Sequence, residues 1–460
     1  MSKKKTPKVI AYKEYLEPVT LKIEKVDDKG VGIAYLDDYL IYVENTITGD
    51  VIEASILPPF ANGSKRRGGK ILSFIKRSEF VNTKHLEFCN SSIYAYGNFS
   101  YEKSLELKAS NIKEALAKAN INYQKDIEIE PTTNLYPCRY KSIRYFACKD
   151  GQIINGFYKA NSHQIEKVDI CKSEPLWFSK FATSLATKLS EAKCLVYDEL
   201  NQSGCLRHLL LRQTHQGRLC VLTCACNLTS EQLFLYKAQA KAFEIDCVYF
   251  NLNDAPGNQV LNGTLSCLSD KAYIEACFDN LKFKVGPNTF LQVNYEIASK
   301  LYDYVIDYCK QTDRNYALDL CCGVGTMSLM LAKHFNFVSG FEIVKSSVEA
   351  AIDNAKLNSI ENVDFKVCNV QQENFLKLTK DNVSAIICDP SRVGIGTNSA
   401  LNLTKVKKGV KLAYIFCSLK ALSRDLKVLV DGGFEIKEVK GFDMFPFSSH
   451  IETVVLLEKV

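Results

Sequence analysis

Leu318-Asp319-Leu320-Cys321-Cys322-Gly323-Val324-Gly325-Thr326 is the stretch that decides the fold. An apolar strand runs into two glycines, and a helix opens behind them. The glycines permit a tight turn and a close approach of backbone to ligand. The third glycine of a dinucleotide fingerprint is missing, and no phosphate-binding G-K-[ST] follows. Glu342 ends the next apolar run, 17 residues beyond Gly325. An acid there is placed to take both ribose hydroxyls of an adenosine ligand. Nicotinamide dinucleotides and S-adenosylmethionine both use this geometry.

Outward from this turn, apolar strands alternate with amphipathic helices. Strands are expected at Ala317–Leu320, Val338–Glu342, Val363–Val367, Ala385–Cys388 and Leu412–Phe416, and helices from Thr326, Ser346 and Leu419. This alternation predicts a doubly wound α/β domain. Toward the N-terminus the pattern differs. Residues 18–57 read as short strands with Gly/Asp turns, and Lys70 to Lys76 adds one more, suggesting a small β-barrel. Residues 100–120 carry apolar side chains at a period of about 3.6, so a helix is expected. Residues 130–280 hold strand-like runs at Ile143–Ala147, Leu206–Arg212 and Leu219–Cys224. The expected division is a small β-barrel at 1–80, a mainly β region at 81–280 and the α/β domain at 281–460.

The chain has 460 residues, 47% apolar and 24% charged. Those are ordinary values for a globular protein and exclude collagen, coiled-coil rods and wholesale disorder. The longest apolar runs fall short of the ~18 residues that a membrane helix needs. Met1-Ser2-Lys3-Lys4-Lys5 has no apolar core behind it, so a cytoplasmic protein without a secretory signal is expected. The net charge of +6 permits a polyanionic partner. Lys65, Arg66, Arg67, Lys70, Lys76 and Arg77 cluster with no acid between them, although clustered loop lysines are often merely solvated. Eighteen cysteines are present without any C-x-x-C, which argues against zinc ribbons and thioredoxin-like pairs. Most, including Cys224 and Cys226, are expected to pack as small apolar side chains.

Polar residues follow successive strands, where doubly wound sheets bind ligands. Asn369 follows the third, and Asp389-Pro390-Ser391-Arg392 follows the fourth. D-P-x-R resembles the D/N-P-P-aromatic motif of amino-methyltransferases but lacks the aromatic, which argues against N-methylation. The plainer role for Asp389 is a helix N-cap. Cys417-Ser418 ends the next strand and a helix follows, so the helix N-terminus is expected to lower the thiol pKa. The plainer role for Cys417 is core packing. Glu452 leads into the last strand, where its plainer role is a strand-end carboxylate.

Taken together, GPNTFLQVN (286–294), LDLCCGVGT (318–326), GFEIV (340–344), DPSRVG (389–394), FCSLKALSRDL (416–426) and FPFSSHIETVVLL (445–457) resemble the RNA uracil-C5 methyltransferases. The resemblance spans the chain. Residues 18–76 resemble the TRAM domain, a small RNA-binding β-barrel on the ribosomal RNA branch of that family. It implies a Rossmann-like S-adenosylmethionine-dependent domain with an N-terminal TRAM/OB-like barrel and a central mainly β domain. The nucleophile motif matches Cys417, with Arg424-Asp425 downstream. Its Asn-Pro is Ser418-Leu419 here. The family glutamate matches Glu452. The cofactor contacts match Gln292, Cys321, Thr326, Glu342, Asn369 and Asp389, and the position of Cys321 is often aromatic in relatives. Many relatives carry an iron–sulfur cluster on a C-G-G-C run, which here is Ser91-Ser92-Ile93-Tyr94. Cys89 and Cys171 remain, and two thiols do not supply four ligands. The cluster is therefore expected to be absent.

The chemistry explains the residue types. Uracil C5 is a poor nucleophile until a thiolate adds to C6, and a base must then remove the C5 proton. The target base must leave its stack. The resemblance thus implies 5-methyluridine formation in RNA through a Cys417–C6 adduct, by a monomer without membrane attachment. Ribosomal RNA, specifically 23S, is favoured over transfer RNA by the TRAM-like segment. A non-catalytic RNA-binding protein would leave Cys417 and Glu452 without use, as would a nicotinamide oxidoreductase.

Overall fold

The computed structural model describes residues 15, 17–61, 63–82, 94–159, 162–257, 259–373, 375–379 and 382–460. The described residues up to Lys108, with Phe445–Ser449, form one compact unit; those of Ala109–Met444 with His450–Val460 form the second. No helix of the described residues is long and apolar enough to cross a membrane.

In the first unit, β1 (Val19–Lys22), β2 (Lys25–Val26), β3 (Gly32–Leu36), β4 (Tyr39–Val43), β5 (Val51–Pro59) and β6 (Arg66–Lys76) form a sheet in the order β1-β5-β6-β4-β3-β2. Alternation puts Leu21, Ile41, Val43, Ile52 and Ala54 into one core. At the tip between β2 and β3, Gly30 has a φ of +77°, and a Cβ there would stand 1.7 Å from the Ala95 carbonyl oxygen. Only glycine fits. Arg66, Lys70 and Lys76 are exposed, but Arg67 is buried, its guanidinium 4.5 Å from the Tyr39 ring centre. The basic cluster read from sequence therefore loses one of its members to packing. The expected helix is α1 (Tyr101–Lys118), whose residues from Ala109 onward belong to the second unit.

The second unit holds two larger sheets. After β7 (Glu128–Glu130) come β8 (Lys141–Lys149), β9 (Gln152–Tyr158), β10 (Ile165–Lys167), α2 (Leu176–Glu191), β11 (Leu206–Thr214), β12 (Gly217–Cys224), α3 (Ser230–Ala242), β13 (Cys247–Leu252) and β14 (Thr264–Cys267). Their strands pair in the order β10-β9-β8-β11-β12-β13-β14. Phe178, Phe181, Leu185 and Leu189 of α2 pack with Phe146, Leu209, Leu211 and Leu222. Cys224 is buried as expected, whereas Cys226 lies beyond the end of the strand, exposed, and is disulfide-bonded to Cys205. The strand stops before Cys226, so it never shares a face with Cys224.

A hairpin, β15 (Ile274–Phe278) and β16 (Leu281–Val285), leads to the third sheet. There α4 (Tyr295–Cys309), β17 (Tyr316–Leu320), α5 (Thr326–Ala332), β18 (Phe337–Glu342), α6 (Lys345–Leu357), β19 (Val363–Val367), β20 (Val383–Cys388), α7 (Gly396–Leu403), β21 (Lys411–Phe416), α8 (Leu419–Asp431), β22 (Phe434–Phe442) and β23 (Glu452–Lys459) follow. The strand order is β19-β18-β17-β20-β21-β23-β22-β7. The first five run parallel, while β23 is inserted antiparallel between β21 and β22. Strand order reverses between β17 and β20, which makes the crevice at their carboxyl ends the ligand site of such a sheet. Both strands are fully buried, which accounts for their near-continuous apolar sequence.

Candidate active site

The turn after β17 is held by the acid the sequence singled out. Glu342 Oε2 accepts from the Gly323 N–H (3.0 Å), and its Oε1 accepts from the Val344 N–H (2.9 Å). Each carboxylate oxygen keeps acceptor capacity for a further donor. Gly323 has a φ of +55° and faces open space, with no heavy atom within 4 Å of where a Cβ would stand. Cys321 holds a φ of +66°, a left-handed position uncommon for a side-chain-bearing residue, and is partly buried. Thr326 is the buried first residue of α5. Asn369 closes a turn after β19, its Oδ1 accepting from the Gln371 N–H (3.1 Å).

Gln292 is buried in the loop before α4. Two neighbours of the central sheet fix that loop. The buried Arg212 guanidinium donates to the carbonyls of Gly286 (3.2 Å) and Thr289 (2.7 Å), and the Tyr140 N–H donates to the Val293 carbonyl (2.8 Å). The sequence offered no sign of Arg212, because its role exists only once the two sheets are packed.

Asp389 follows β20 and caps no helix, since α7 begins at Gly396 with Ile395 at its N-cap. Burial raises its pKa well above the usual carboxylate value, and the Glu452 and Asp319 carboxylates raise it further. Asp319 itself is buried in β17, with its carboxyl pushed up to about 7 by burial against the pull of a Ser328 hydrogen bond.

Across the sheet, Phe416 of β21 pairs with Thr453 of β23. One step further in this antiparallel register, Cys417 and Glu452 are neighbours. Glu452 is only 4% exposed, and its Oε2 has no hydrogen-bond partner among the described residues. Burial pushes its carboxyl up to about 7, and Arg392 opposes the shift. It is no surface strand-end carboxylate. Cys417 is half-buried, with its Sγ 3.9 Å from the Pro390 carbonyl oxygen. Its thiol is pushed up to about 12 by burial and by the Glu452 and Asp389 carboxylates, against Arg392. The sequence reading expected a lowered pKa from the start of α8. One helix end carries only about half a unit charge, and desolvation with two acids outweighs it. At neutral pH these surroundings keep Cys417 as the thiol.

Arg392 thus acts on both Cys417 and Glu452, and sequence reading missed it as a site residue. The D-P-S-R string contained it. The loop that carries it is pinned by Asp425, whose buried Oδ2 accepts from Tyr414 Oη (2.7 Å) and the Ile395 N–H (3.1 Å). Tyr302 of α4 is a further missed neighbour: burial raises its hydroxyl pKa, and Asp389, Glu452 and Asp319 add to the shift. The crevice therefore gathers Asp319, Glu342, Asp389 and Glu452. A cationic centre would offset the burial and crowding that raise the Asp319, Asp389 and Glu452 carboxyls, whereas a diphosphate would add to them.

Residues 271–460 match the family model for tRNA (uracil-5-)-methyltransferase. An RNA methyltransferase of Fusobacterium nucleatum is 30% identical, with 96% of each chain covered. One of Clostridium tetani is 30% identical over 95% of this chain and 97% of its own. Among solved structures, the Pyrococcus abyssi tRNA (uracil-54, C5)-methyltransferase in complex with S-adenosyl-L-homocysteine superposes with a TM-score of 0.76. The match covers 95% of this chain and all of that one at 22% identity, a likeness of fold.

Proposed function

This chain belongs to the RNA uracil-C5 methyltransferases, and from that premise we propose that it converts uridine of 23S ribosomal RNA to 5-methyluridine through a covalent Cys417–C6 adduct. S-adenosylmethionine, when bound, supplies the methyl group. The crevice fits that donor: the cationic sulfonium suits four converging acids, and Glu342 has acceptor capacity for a ribose diol. Gln292, Cys321, Thr326, Asn369 and Asp389 are the further residues proposed to hold it.

As the Cys417 sulfur bonds to C6 of a flipped uracil, its proton leaves to solvent and the C5–C6 π pair shifts onto C5 and O4, which makes C5 nucleophilic. Once C5 carries the methyl group, it still carries its hydrogen. Glu452 takes that proton, the C5–C6 double bond reforms and the C6–S bond breaks. A carboxyl held near 7 is balanced between proton acceptor and donor at neutral pH, which suits a general base. The observation that carries the proposal is the cross-strand placement of Cys417 beside a buried Glu452 with one oxygen unpartnered. Residues 1–80 are proposed as the TRAM-like RNA-binding part, 81–280 as the central RNA-binding region and 281–460 as the catalytic domain. The exposed bases of β6 support the first assignment, and the resemblance of that segment to the TRAM domain is what favours ribosomal over transfer RNA.

The test has two arms. Mapping 5-methyluridine in 23S and transfer RNA from cells with and without the gene should show loss from 23S RNA only; loss from transfer RNA alone would replace the substrate. In vitro, Cys417→Ala should abolish methylation, whereas Glu452→Gln should leave enzyme joined to RNA on a denaturing gel. A fully active Glu452→Gln enzyme, or an adduct that survives loss of Cys417, would sink the mechanism.

A further inference from the structure

A cavity of about 690 Å³ lies on the central sheet, apart from the active site. That volume is within the range of small-molecule pockets. Tyr145 of β8 and Tyr158 of β9 stand with ring centres 4.3 Å apart, and His163 meets Tyr158 edge-on. Tyr145 pairs with His208 in the sheet register, whereas its neighbour Arg144 pairs with Leu209 of the helix-covered core. The tyrosines therefore occupy the opposite sheet face. One wall of the cavity is the segment that includes Gly257 and Gln259. It is tied down by Arg207, which donates to the carbonyls of Asn253, Ala255 and Gly257, and by His208 Nε2 at 2.7 Å from the Val260 carbonyl oxygen. This is a built cavity with a fixed wall.

Asp198 and Glu199, both exposed, also line it. Asp198 is consumed by its own turn, accepting from the Leu200 and Asn201 N–H groups and from the Asn201 side chain. Glu199 makes no hydrogen bond or ion pair among the described residues, and its charge is felt by both Tyr145 and Tyr158. A free carboxylate repels a polyanion unless it reads a base edge. Adenine, cytosine and uracil each set a ring acceptor or carbonyl beside their donor, which a carboxylate repels. Guanine alone presents two adjacent donors, N1–H and N2–H, matching both carboxylate oxygens. Aromatic faces supply stacking for any base.

We propose that this cavity holds an unpaired guanine of the RNA substrate, stacked on Tyr145 and Tyr158 and read by Glu199. The proposal rests on the RNA-modifying reading for its source, but not for its chemistry. The full-length protein is titrated by calorimetry with GMP, AMP, CMP and UMP. GMP should bind at least fivefold tighter than the others, and the exposed-site variant Glu199→Ala should erase that preference. Equal binding of the four nucleotides, or a guanine preference that survives Glu199→Ala, overturns the proposal. In methylation assays on ribosomal RNA, Glu199→Ala should raise KM severalfold with kcat unchanged. An unmoved KM alongside a lost GMP preference assigns the cavity to free nucleotide and overturns the RNA source. An enzyme that binds GMP selectively but forms no 5-methyluridine overturns the catalytic reading alone.

Discussion

Glu342 and Glu452 show how far one side chain's surroundings decide its use. Glu342 keeps two backbone amides in place, so Glu342→Ala removes both the proposed ribose acceptor and the brace of the turn. Hydrogen bonds to charged groups contribute ~1.5–3 kcal/mol, so S-adenosylmethionine affinity should fall about tenfold or more by calorimetry. Unchanged affinity would rule out the assignment. Glu452 ionises near 4.5 in an unfolded chain and near 7 in the folded one. Between these values the unfolded chain has lost the proton that the native state still holds, so rising pH favours unfolding. The share due to this residue is roughly 3 kcal/mol. Glu452→Gln mimics the protonated acid; its stability should equal the parent's at pH 4 and exceed it at pH 8. Urea melts at both values check this, and parallel pH profiles would refute it. Both glutamates were legible in the sequence because they sit at strand ends in ordered motifs. The state of Cys417 was not, because desolvation and the approach of Asp389 depend on packing that no local pattern reports.

At the scale of elements, the loop between β20 and α7 is held from outside itself. Asp425 accepts from Tyr414, Ile395 and Arg424, and Arg424 Nη2 in turn donates to the Val393 carbonyl (2.6 Å). Gly394 has a φ of +68°, and a Cβ there would stand 2.4 Å from the Asp425 carboxylate. Asp425→Ala leaves several buried donors unsatisfied, at about 1–3 kcal/mol each. The denaturation midpoint should drop and methylation should fall with it, as Arg392 and Asp389 lose their seat. A variant as stable as its parent would show that the loop holds itself. The same scale explains what sequence reading missed. The largely apolar β17 and β20 announced themselves. In α3 only Gln232, Tyr236 and Ala240 are buried, a narrow stripe with a glutamine in it and too little apolar periodicity to read. The helices α2 and α4 do carry wide apolar stripes, but they lie among strand-like runs and went unseen.

For the whole molecule, the replacement of the C-G-G-C run by Ser91-Ser92-Ile93-Tyr94 leads us to propose a protein without an iron–sulfur centre. Cys89 and the first three of those positions lie outside the described residues; Cys89 and Cys171 are two thiols where a cluster needs four ligands. Protein purified without oxygen should contain far less than one iron per chain; brown protein with about four irons would overturn it. Binding to RNA through the exposed bases of β6 should weaken steeply with salt, since each neutralised phosphate releases counterions. A filter-binding slope near zero between low and moderate salt would exclude that surface.

The insertion of β23 between β21 and β22 makes one strand both keystone and reagent. Under the proposed chemistry, a chain with the thiol but no base would capture RNA and never let it go. A chain in which that strand has not docked lacks Glu452, yet it also lacks the strand that joins β22 to the sheet and lines up Cys417's neighbours. Capture without release is thereby interlocked with misassembly: the fold supplies the means of letting go in the same event that completes the trap.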